Sequence, residues 1–383
     1  MKKILRITTV PISLRNLLKG QPKFMSQYYE VVGVTSPGDE INDVVNDEEI
    51  RVVEVEMTRT ISPIKDLMSL WRLYRVIKKE KPFIVHSHTP KAGTLGMVAS
   101  KLAGVPNRLH TIAGLPLLEA TGAKRKLLDF VEKITYACAT KIYPNSSGLK
   151  DIIIKNSYTK PSKLKVIANG SSNGIDVNHF SIENISEEIK ATLREKLNIS
   201  ENNIVFVFVG RLVADKGINE LIGAFKKLST EHQNIKLLLV GTFESELDPL
   251  YDNTLNEIES NQNIINVGWQ TDVRPYFAIS NILAFPSYRE GFPNVVMQAG
   301  AMGIPSIVTD INGCNEIIKQ GINGLIIQPK DENELYFAML SLVNKPNKQK
   351  EFASISRKMI CDNYHREVIW NALLQEYKDL ENK

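Results

Sequence analysis

Two doubly wound α/β domains in tandem are the architecture this sequence predicts. Apolar runs rich in β-branched residues alternate with helical segments, the pattern of parallel strands joined by crossover helices. The alternation breaks once, near Ser171, and restarts near Ile204. A chain of 383 residues with 43% hydrophobic and 23% charged content is also long enough for two cores and too long for one ordinary domain.

In the first half the strand candidates are KILRITTV, YYEVVGVTS, RVVEVEM, FIVHSH, NRLHTIAG, KIYPNS and KLKVIANG. Between them lie a long amphipathic segment from Ile64 to Lys79 and the helical stretch LLDFVEKITYACAT. These units define a first domain over residues 1–175. The stretch SSNGIDVNHFSIENISEEIKATLREKLNISENN then combines turn residues with a charged helix, and residues 176–203 are read from it as an interdomain linker. IVFVFVG, KLLLVG, IINVGW, NILAFPS, PSIVTD and NGLIIQP give a second domain over 204–363. Residues 364–383 form a closing helix able to cross back to the first domain. Two doubly wound domains place a cleft between the carboxyl ends of their sheets, so ligands are expected at the strand-to-helix loops.

Charge is distributed unevenly. Residues 1–180 carry 27 Lys and Arg against 16 Asp and Glu, whereas 181–383 carry 20 against 27. A basic half can meet an anionic bilayer or nucleic acid, or simply present a solvated surface. Nucleic acid has nothing but charge in its favour and is not expected as a partner. Cys138, Cys314 and Cys361 lie far apart without metal-ligand spacing, which suits a reducing, intracellular setting. The opening MKKILRITTVPIS is read as a strand, since Arg6 interrupts its apolar stretch. No run approaches the roughly 18 to 20 apolar residues of a spanning helix, so any membrane contact is expected to be peripheral.

Two segments of the second domain carry chemistry. In FVGRLVADKGINELIGAF, Phe208 to Phe225, a strand ends at Gly210, and Arg211 and Lys216 flank a turn before a helix that begins near Gly217. Free backbone N–H groups, a helix dipole and two cations together suit a diphosphate. The alternative is an ordinary charged turn. Neither G-x-x-x-x-G-K-[ST] nor G-x-G-x-x-G is present. In AFPSYREGFPNVVMQAGAMGIPSIVT, Ala284 to Thr309, a loop holding Glu290 precedes a helix that starts near Pro293, with Gln298 further along it. A carboxylate beside phosphates makes sense where it grips hydroxyls or stabilises positive charge on a sugar ring.

G-R-L-x-x-x-K-G followed about 75 residues later by E-G-F-P-N-x-x-x-Q resembles the donor site of glycosyltransferase family 4. VHSHTPKAGTLGMVASKLAGVP, LHTIAGLP, NGSSNGIDVNHF and GCNEIIKQGINGLIIQP extend the resemblance over nearly the whole chain, towards the bacterial capsule and surface-polysaccharide branch. The resemblance implies a GT-B fold, two Rossmann-like domains facing across a cleft, and transfer of a hexose from a nucleotide sugar with retention of configuration. It implies that Arg211 and Lys216, with the backbone at Gly210, hold the diphosphate. Glu290 is then expected to face the sugar, with backbone groups of Gly291, Phe292 and Asn294 holding hydroxyls or phosphate. The second acidic position of the family's glutamate pair falls on Gln298, whose amide can still bond ribose hydroxyls. Trp269 stands where relatives line the nucleotide base, or else packs on its own domain; Glu316, at a helix start, is a weaker donor-side candidate.

A further departure is that Thr111, Ile112, Ala113 replaces the T-x-H of many members. His110, His88 and Lys91, near strand ends of the first domain, are the candidates to take the absent histidine's place, each with a purely structural alternative. His86 and His88 share a strand face, so a metal pair is conceivable, but no metal cofactor is expected: D-x-D is absent and Arg211 and Lys216 supply the countercharge. The segment LPLLEATGAKRKLLDFVEK, with Lys124, Arg125 and Lys126, can rest on an anionic bilayer. The expected partners are therefore a nucleotide sugar, UDP-linked and carrying an N-acetylated or 6-deoxy hexose, an undecaprenyl-diphosphate-linked saccharide acceptor, and the inner face of the cytoplasmic membrane. Competing readings are a catalytically silent sugar-nucleotide-binding partner, a sugar-nucleotide epimerase of the same architecture, which needs further acid and base groups around C2 of the sugar, and a nucleotide-dependent oxidoreductase, for which the glycine fingerprint is missing.

Overall fold

The computed structural model describes residues 1–382 apart from 59, 61, 116, 118, 119 and 245–247. The chain divides into a unit of Met1–Gly174 with Glu367–Lys383, and a unit of Ile175–Arg366. Strands β1 (Lys3–Ile7), β2 (Glu30–Thr35), β3 (Arg51–Glu54), β4 (Ile84–Ser87), β5 (Asn107–Ile112) and β6 (Lys141–Pro144) make one parallel sheet in the order β3-β2-β1-β4-β5-β6. Strands β7 (Ile204–Val209), β8 (Ile235–Val240), β9 (Ile264–Gly268), β10 (Ile282–Phe285), β11 (Ser306–Thr309) and β12 (Gly324–Ile327) make a second in the order β12-β11-β10-β7-β8-β9. Each is the doubly wound order, and in each the winding reverses between the first and fourth strands of the sheet.

Most of these strands are near-continuous apolar runs because both faces of the sheets are covered; the edge strand β3, with Arg51 and Glu54 exposed, is the exception. The expected strand KLKVIANG does not form: only Leu164 bridges to Ile142, beyond the edge strand β6, and the rest of the segment is turn and loop. In the first unit side chains alternate. Leu5, Ile7, Val32, Val34 and Val85 face the layer of helices Pro63–Glu80, Pro90–Leu102 and Gly122–Cys138. Ile4, Val31, Ile84 and Leu109 face the other way, towards Ile369, Trp370, Leu373 and Tyr377 of the closing helix Arg366–Glu381. Arg6 lies on that second face. It is 1% exposed and donates to Tyr377 Oη at 2.8 Å and to Gln21 Oε1. Burial pulls its pKa down, and the Tyr377 hydroxyl offsets part of that cost, while Nε has no partner among the described residues.

In the second unit Val205, Phe206, Val207 and Phe208 of β7 are fully buried, and Phe208 stacks on Phe285 of β10 at 5.9 Å. Residues 176–203 do not behave as a linker. Val177, Ile185 and Ile199 are buried in the second unit's core, and Leu193 and Leu197 from the helix Glu187–Lys196 pack against it. The polar turn chemistry was legible, but the five well-spaced apolar residues within it anchor the segment to the sheet.

Candidate active site

In the second unit the loops after β7 and β10 meet at the point where strand order reverses. Gly217 caps the helix Ile218–Glu231 with φ +71°, and a Cβ there would sit 2.1 Å from the carbonyl oxygen of Pro286. Only glycine allows this approach, which clamps one loop on the other. Tyr288 donates its N–H to the Asp215 carbonyl at 2.9 Å, fixing the same pair of loops in register.

The clamp brings Lys216 and Glu290 together. Lys216 Nζ lies 2.5 Å from Glu290 Oε1, and their side chains are only 15% and 17% exposed. Ser287 Oγ donates to the same oxygen at 3.0 Å. Behind the loop, Thr309 Oγ1 donates to the Ser287 carbonyl and Asn312 Nδ2 to that of Glu290. Gly313, at φ +78°, packs so close that a Cβ would lie 2.6 Å from the Gly291 carbonyl. Glu290 is thus held through its side chain and its backbone.

Arg211 lies further out, 42% exposed, with NH1 2.9 Å from Glu244 Oε2 and NH2 4.0 Å from Asp215 Oδ2. The carboxylates of Glu244, Asp215 and Glu290 all favour its charged form. Arg289 pairs with Asp215 Oδ2 at 2.7 Å, and Asp215 Oδ1 is buried without a partner among the described residues. Cations and carboxylates therefore alternate around one spot, and an anion arriving there exchanges with a carboxylate rather than meeting bare positive charge.

Gly291 and Asn294 flank the start of the helix Asn294–Ala301, with Asn294 exposed at its first position. Phe292 turns inward, 7% exposed, with its ring 5.4 Å from that of Tyr364, so its side chain is not available to a ligand. Gln298 is half-buried further along the helix. Gly210 closes β7, its N–H donating to the Val240 carbonyl at 2.9 Å. Trp269 follows β9 and is 68% exposed, so it does not pack on its own domain. Glu316 reaches back to the Gly313 N–H at 3.4 Å as the cap of the helix Cys314–Ile317.

The histidine candidates of the first unit require correction. His110 is 4% exposed, with Nδ1 2.9 Å from Ser87 Oγ and its ring against Gly93, where a Cβ would come within 2.3 Å. Burial pulls its pKa down to about 4, so the ring is neutral and packed rather than presented to a sugar. His86 has Nδ1 2.6 Å from Tyr377 Oη and Nε2 2.8 Å from Thr111 Oγ1, leaving no nitrogen for a metal. His88 stacks on it at 4.2 Å, also held neutral by burial. Its ring nitrogens have no partner among the described residues and face a 10 Å³ pocket, space for about one water molecule and none for a hexose. Strand-end position marked these histidines in the sequence; which way each ring points depends on packing that periodicity does not carry. Among the described residues no group of three or more His, Cys, Asp or Glu is arranged to hold a metal ion.

Lys91 fares differently. It lies in a cavity of about 580 Å³ at the strand-order reversal of the first unit, where Thr9 after β1 and Thr89 after β4 share a 2.6 Å hydroxyl contact. Lys91 Nζ is 2.6 Å from Asp66 Oδ2 at the polar side; Leu95, Leu117, Leu127, Leu128 and Val131 form the apolar side. Of the basic cluster, Lys124 and Lys126 are exposed, whereas Arg125 is tied to Asp129 at 2.8 Å and Tyr158 Oη at 3.1 Å. Residues 116, 118 and 119 of the same segment lie outside the described residues. Sequence reasoning missed Asp215, Glu244, Ser287, Arg289, Asn312 and Asp66. Only Arg289 had a signal, its place directly before Glu290.

Two family descriptions match the chain: Glycosyl transferases group 1 over residues 189–359 and Glycosyl transferase 4-like domain over residues 14–170. The chain is 34% identical over 382 residues to the capsular polysaccharide biosynthesis glycosyltransferase CapM of Staphylococcus aureus, covering 98% of this chain and 97% of that one. It is 30% identical, over 88% of each chain, to the UDP-Gal:alpha-D-GlcNAc-diphosphoundecaprenol alpha-1,3-galactosyltransferase of Escherichia coli. The crystal structure of Anabaena Alr3699/HepE in complex with UDP shares the fold with a TM-score of 0.80 at 17% identity, covering 99% of this chain and 100% of that one. The fold, the two matched domains and the full-length relatives agree: this chain belongs to glycosyltransferase family 4, with the GT-B fold, and is a glycosyltransferase.

Proposed function

We propose that the chain transfers a hexose, N-acetylated or 6-deoxy, from a UDP-linked donor to an undecaprenyl-diphosphate-linked saccharide in surface-polysaccharide synthesis, with retention of configuration and without a metal ion. The observation that carries this reading is the Lys216–Glu290 pair at the strand-order reversal of the second unit, with Arg211 beside it. Lys216 and Arg211 take the diphosphate, and Glu290, released from Lys216, grips hexose hydroxyls and stabilises the positive charge that develops on the ring. The bond from the anomeric carbon to the β-phosphate oxygen breaks as the acceptor oxygen bonds to that carbon from the same face. The acceptor's hydroxyl proton passes to the departing phosphate, so no histidine base is needed and the loss at Ala113 is tolerated. Trp269 stacks on the base, and Gln298 bonds the ribose.

For the acceptor, the apolar side of the 580 Å³ cavity accommodates the first isoprene units, and Lys91, exchanging Asp66 for phosphate, holds the diphosphate. The names of the two curated relatives, one in capsule synthesis and one acting on a diphosphoundecaprenol, support this class of acceptor. No helix among the described residues is long and apolar enough to cross a membrane. The enzyme is accordingly proposed to work at the cytoplasmic face, in peripheral contact with anionic lipid.

The test is incubation with UDP-sugars and a synthetic polyprenyl-diphosphate saccharide, following UDP release and the anomeric configuration of the product. UDP release in the presence of EDTA is expected. Activity abolished by EDTA and restored by Mg²⁺ overturns the metal-free mechanism, and an inverted product overturns retention.

A further inference from the structure

The helix Pro63–Glu80 carries more apolar surface than its fold requires. A surface helix needs one apolar stripe. This one buries Leu73 and Ile77 in the first unit's core and then presents a second stripe outward. Ile64, Leu67, Met68 and Trp71 follow the i, i+3, i+4, i+7 spacing of one helix face and are 78%, 67%, 49% and 58% exposed. Leu102, from the end of the neighbouring helix, is 64% exposed and joins Leu67, Met68 and Trp71 in lining one groove. An exposed apolar patch of this kind marks an interaction surface.

Charge identifies its occupant. Beyond Trp71 the outward side turns basic: Arg75 stacks on the Trp71 ring at 4.7 Å, and Lys78 and Lys79 follow one turn later. The helix's two acidic groups are already engaged, Asp66 by Lys91 and Glu80 by Lys3 and Arg51. Among the described residues Lys65, Lys78 and Lys79 form no ion pair, so the face is apolar in its first turns and positive in its last. A second copy of this chain packed antiparallel on the patch would cover the apolar turns but bring Lys78 and Lys79 no open carboxylate from this helix, since Asp66 and Glu80 are already paired. A bilayer with anionic headgroups satisfies both halves: apolar groups enter the acyl boundary, Trp71 sits at headgroup depth and the lysines meet lipid phosphates.

We propose that the outward face of the helix Pro63–Glu80, with Leu102, is the surface by which this protein docks on an anionic phospholipid bilayer. The proposal deepens the membrane-linked reading above and rests on it for its purpose, not for its evidence. Lys124 and Lys126 lie in the same layer of helices and add charge, but the insertion belongs to residues 64–71.

The experiment is flotation of the full chain with vesicles of phosphatidylglycerol and phosphatidylethanolamine, against phosphatidylcholine vesicles, at low and high salt. The wild type is expected to float with the anionic vesicles. The double variant L67E/W71E should lose at least about tenfold in bound fraction. K78E/K79E should lose at least about tenfold in affinity and much of the salt dependence. All these side chains are at the surface, so unchanged thermal unfolding certifies that the variants fold. Wild-type protein that stays unbound, L67E/W71E that floats as wild type does, or a wild-type dimer that this variant dissolves while flotation persists overturns the proposal. Transfer to a short-chain, water-soluble acceptor should be the same in L67E/W71E and wild type. If the wild type shows no transfer at all, the functional reading fails while flotation still decides the docking face.

Discussion

Replacing Lys216 by Met keeps most of the side chain's volume and removes its charge, and the effect should fall on the chemical step. As the hexose departs, up to one unit of negative charge develops on the leaving phosphate. An ammonium about 4 Å away, with an effective dielectric near 20, stabilises a full unit by about 4 kcal/mol. That dielectric suits Lys216, whose side chain is 15% exposed and paired with Glu290, itself held by the Ser287 hydroxyl. With the charge half to fully developed the loss is about 2–4 kcal/mol, or about 30- to 1000-fold in kcat. Arg211 is 42% exposed, and at a dielectric approaching that of water the same sum gives about 1 kcal/mol, roughly fivefold. The order of the two variants is therefore fixed by burial: Lys216→Met should be far more damaging to kcat than Arg211→Met.

The assay is UDP release at saturating donor, where binding losses are removed, together with thermal unfolding to show that each variant folds. Lys216→Arg retains the charge with different geometry and should recover part of the rate. A Lys216→Met enzyme within about threefold of wild-type kcat, or Arg211→Met the slower of the two, refutes the assignment of Lys216 to the leaving group.

Three further outcomes concern the frame that holds the site. Gly217→Ala must adopt φ +71° and displace the Pro286 carbonyl, so it should cost at least about 2 kcal/mol in urea unfolding and weaken donor binding by isothermal titration, whereas a role in stability alone leaves the affinity unchanged. Tyr377→Phe leaves Arg6 NH1 and His86 Nδ1 without their shared hydroxyl and should cost about 1–3 kcal/mol in the same measurement; a loss below about 0.5 kcal/mol counts against a satisfied buried network. His110 titrates near 4 in the folded state against about 6.5 unfolded, so below pH 6.5 the unfolded chain binds more protons. Its stabilising contribution is full above pH 6.5 and is lost as pH falls towards 4, by up to about 3 kcal/mol. His110→Gln should flatten that limb of the stability–pH curve, and an unchanged slope refutes the neutral, buried histidine.

How much of this was legible in the sequence differs from residue to residue for physical reasons. The twelve strands among the described residues were legible because a two-sided sheet demands apolar runs such as IVFVFV. KLKVIANG imitates such a run but makes only one bridge, Leu164 to Ile142, and is no strand. Arg211, Lys216 and Glu290 could be placed at one site because a strand end and a helix start fix where a short loop's side chains go. Asp215, Glu244 and Asn312 could not, because each acts through a partner remote in sequence: Asn312 through the Glu290 carbonyl, Glu244 through Arg211. The histidines went astray for the converse reason. Strand position brings His110 and His88 near a loop, but Gly93 leaves room for the His110 ring inside, and His86 offers His88 a ring to stack on. The docking helix was visible as an amphipathic segment, yet its second stripe is recognisable only once Leu73 and Ile77 are seen to satisfy the core.

The same winding order occurs twice in this chain, yet the two reversal points have opposite chemistry, and that contrast carries the functional argument further than the fold can. In the second unit the point is crowded with ionised groups on short loops. The half of the chain that holds it has an excess of acidic residues, so its long-range field opposes an incoming diphosphate. Beyond about 8–10 Å that field is screened by salt, while Lys216 and Arg211 act at contact distance, so recognition of the donor is decided locally. In the first unit the corresponding point holds, among the described residues, one ion pair, Lys91 with Asp66, and the Glu132 carboxyl, which burial pushes towards its neutral form, beside an apolar wall. One cation and a greasy surface suit a ligand that is charged at one end only. An enzyme that took a water-soluble acceptor would have no use for that wall, and replacing Leu128 with Asp should therefore discriminate between acceptors: transfer to a polyprenyl-linked saccharide should fall at least about tenfold, while transfer to the same saccharide on a short, soluble aglycone changes little. Equal losses on both acceptors would mean that the cavity serves the fold and not the lipid.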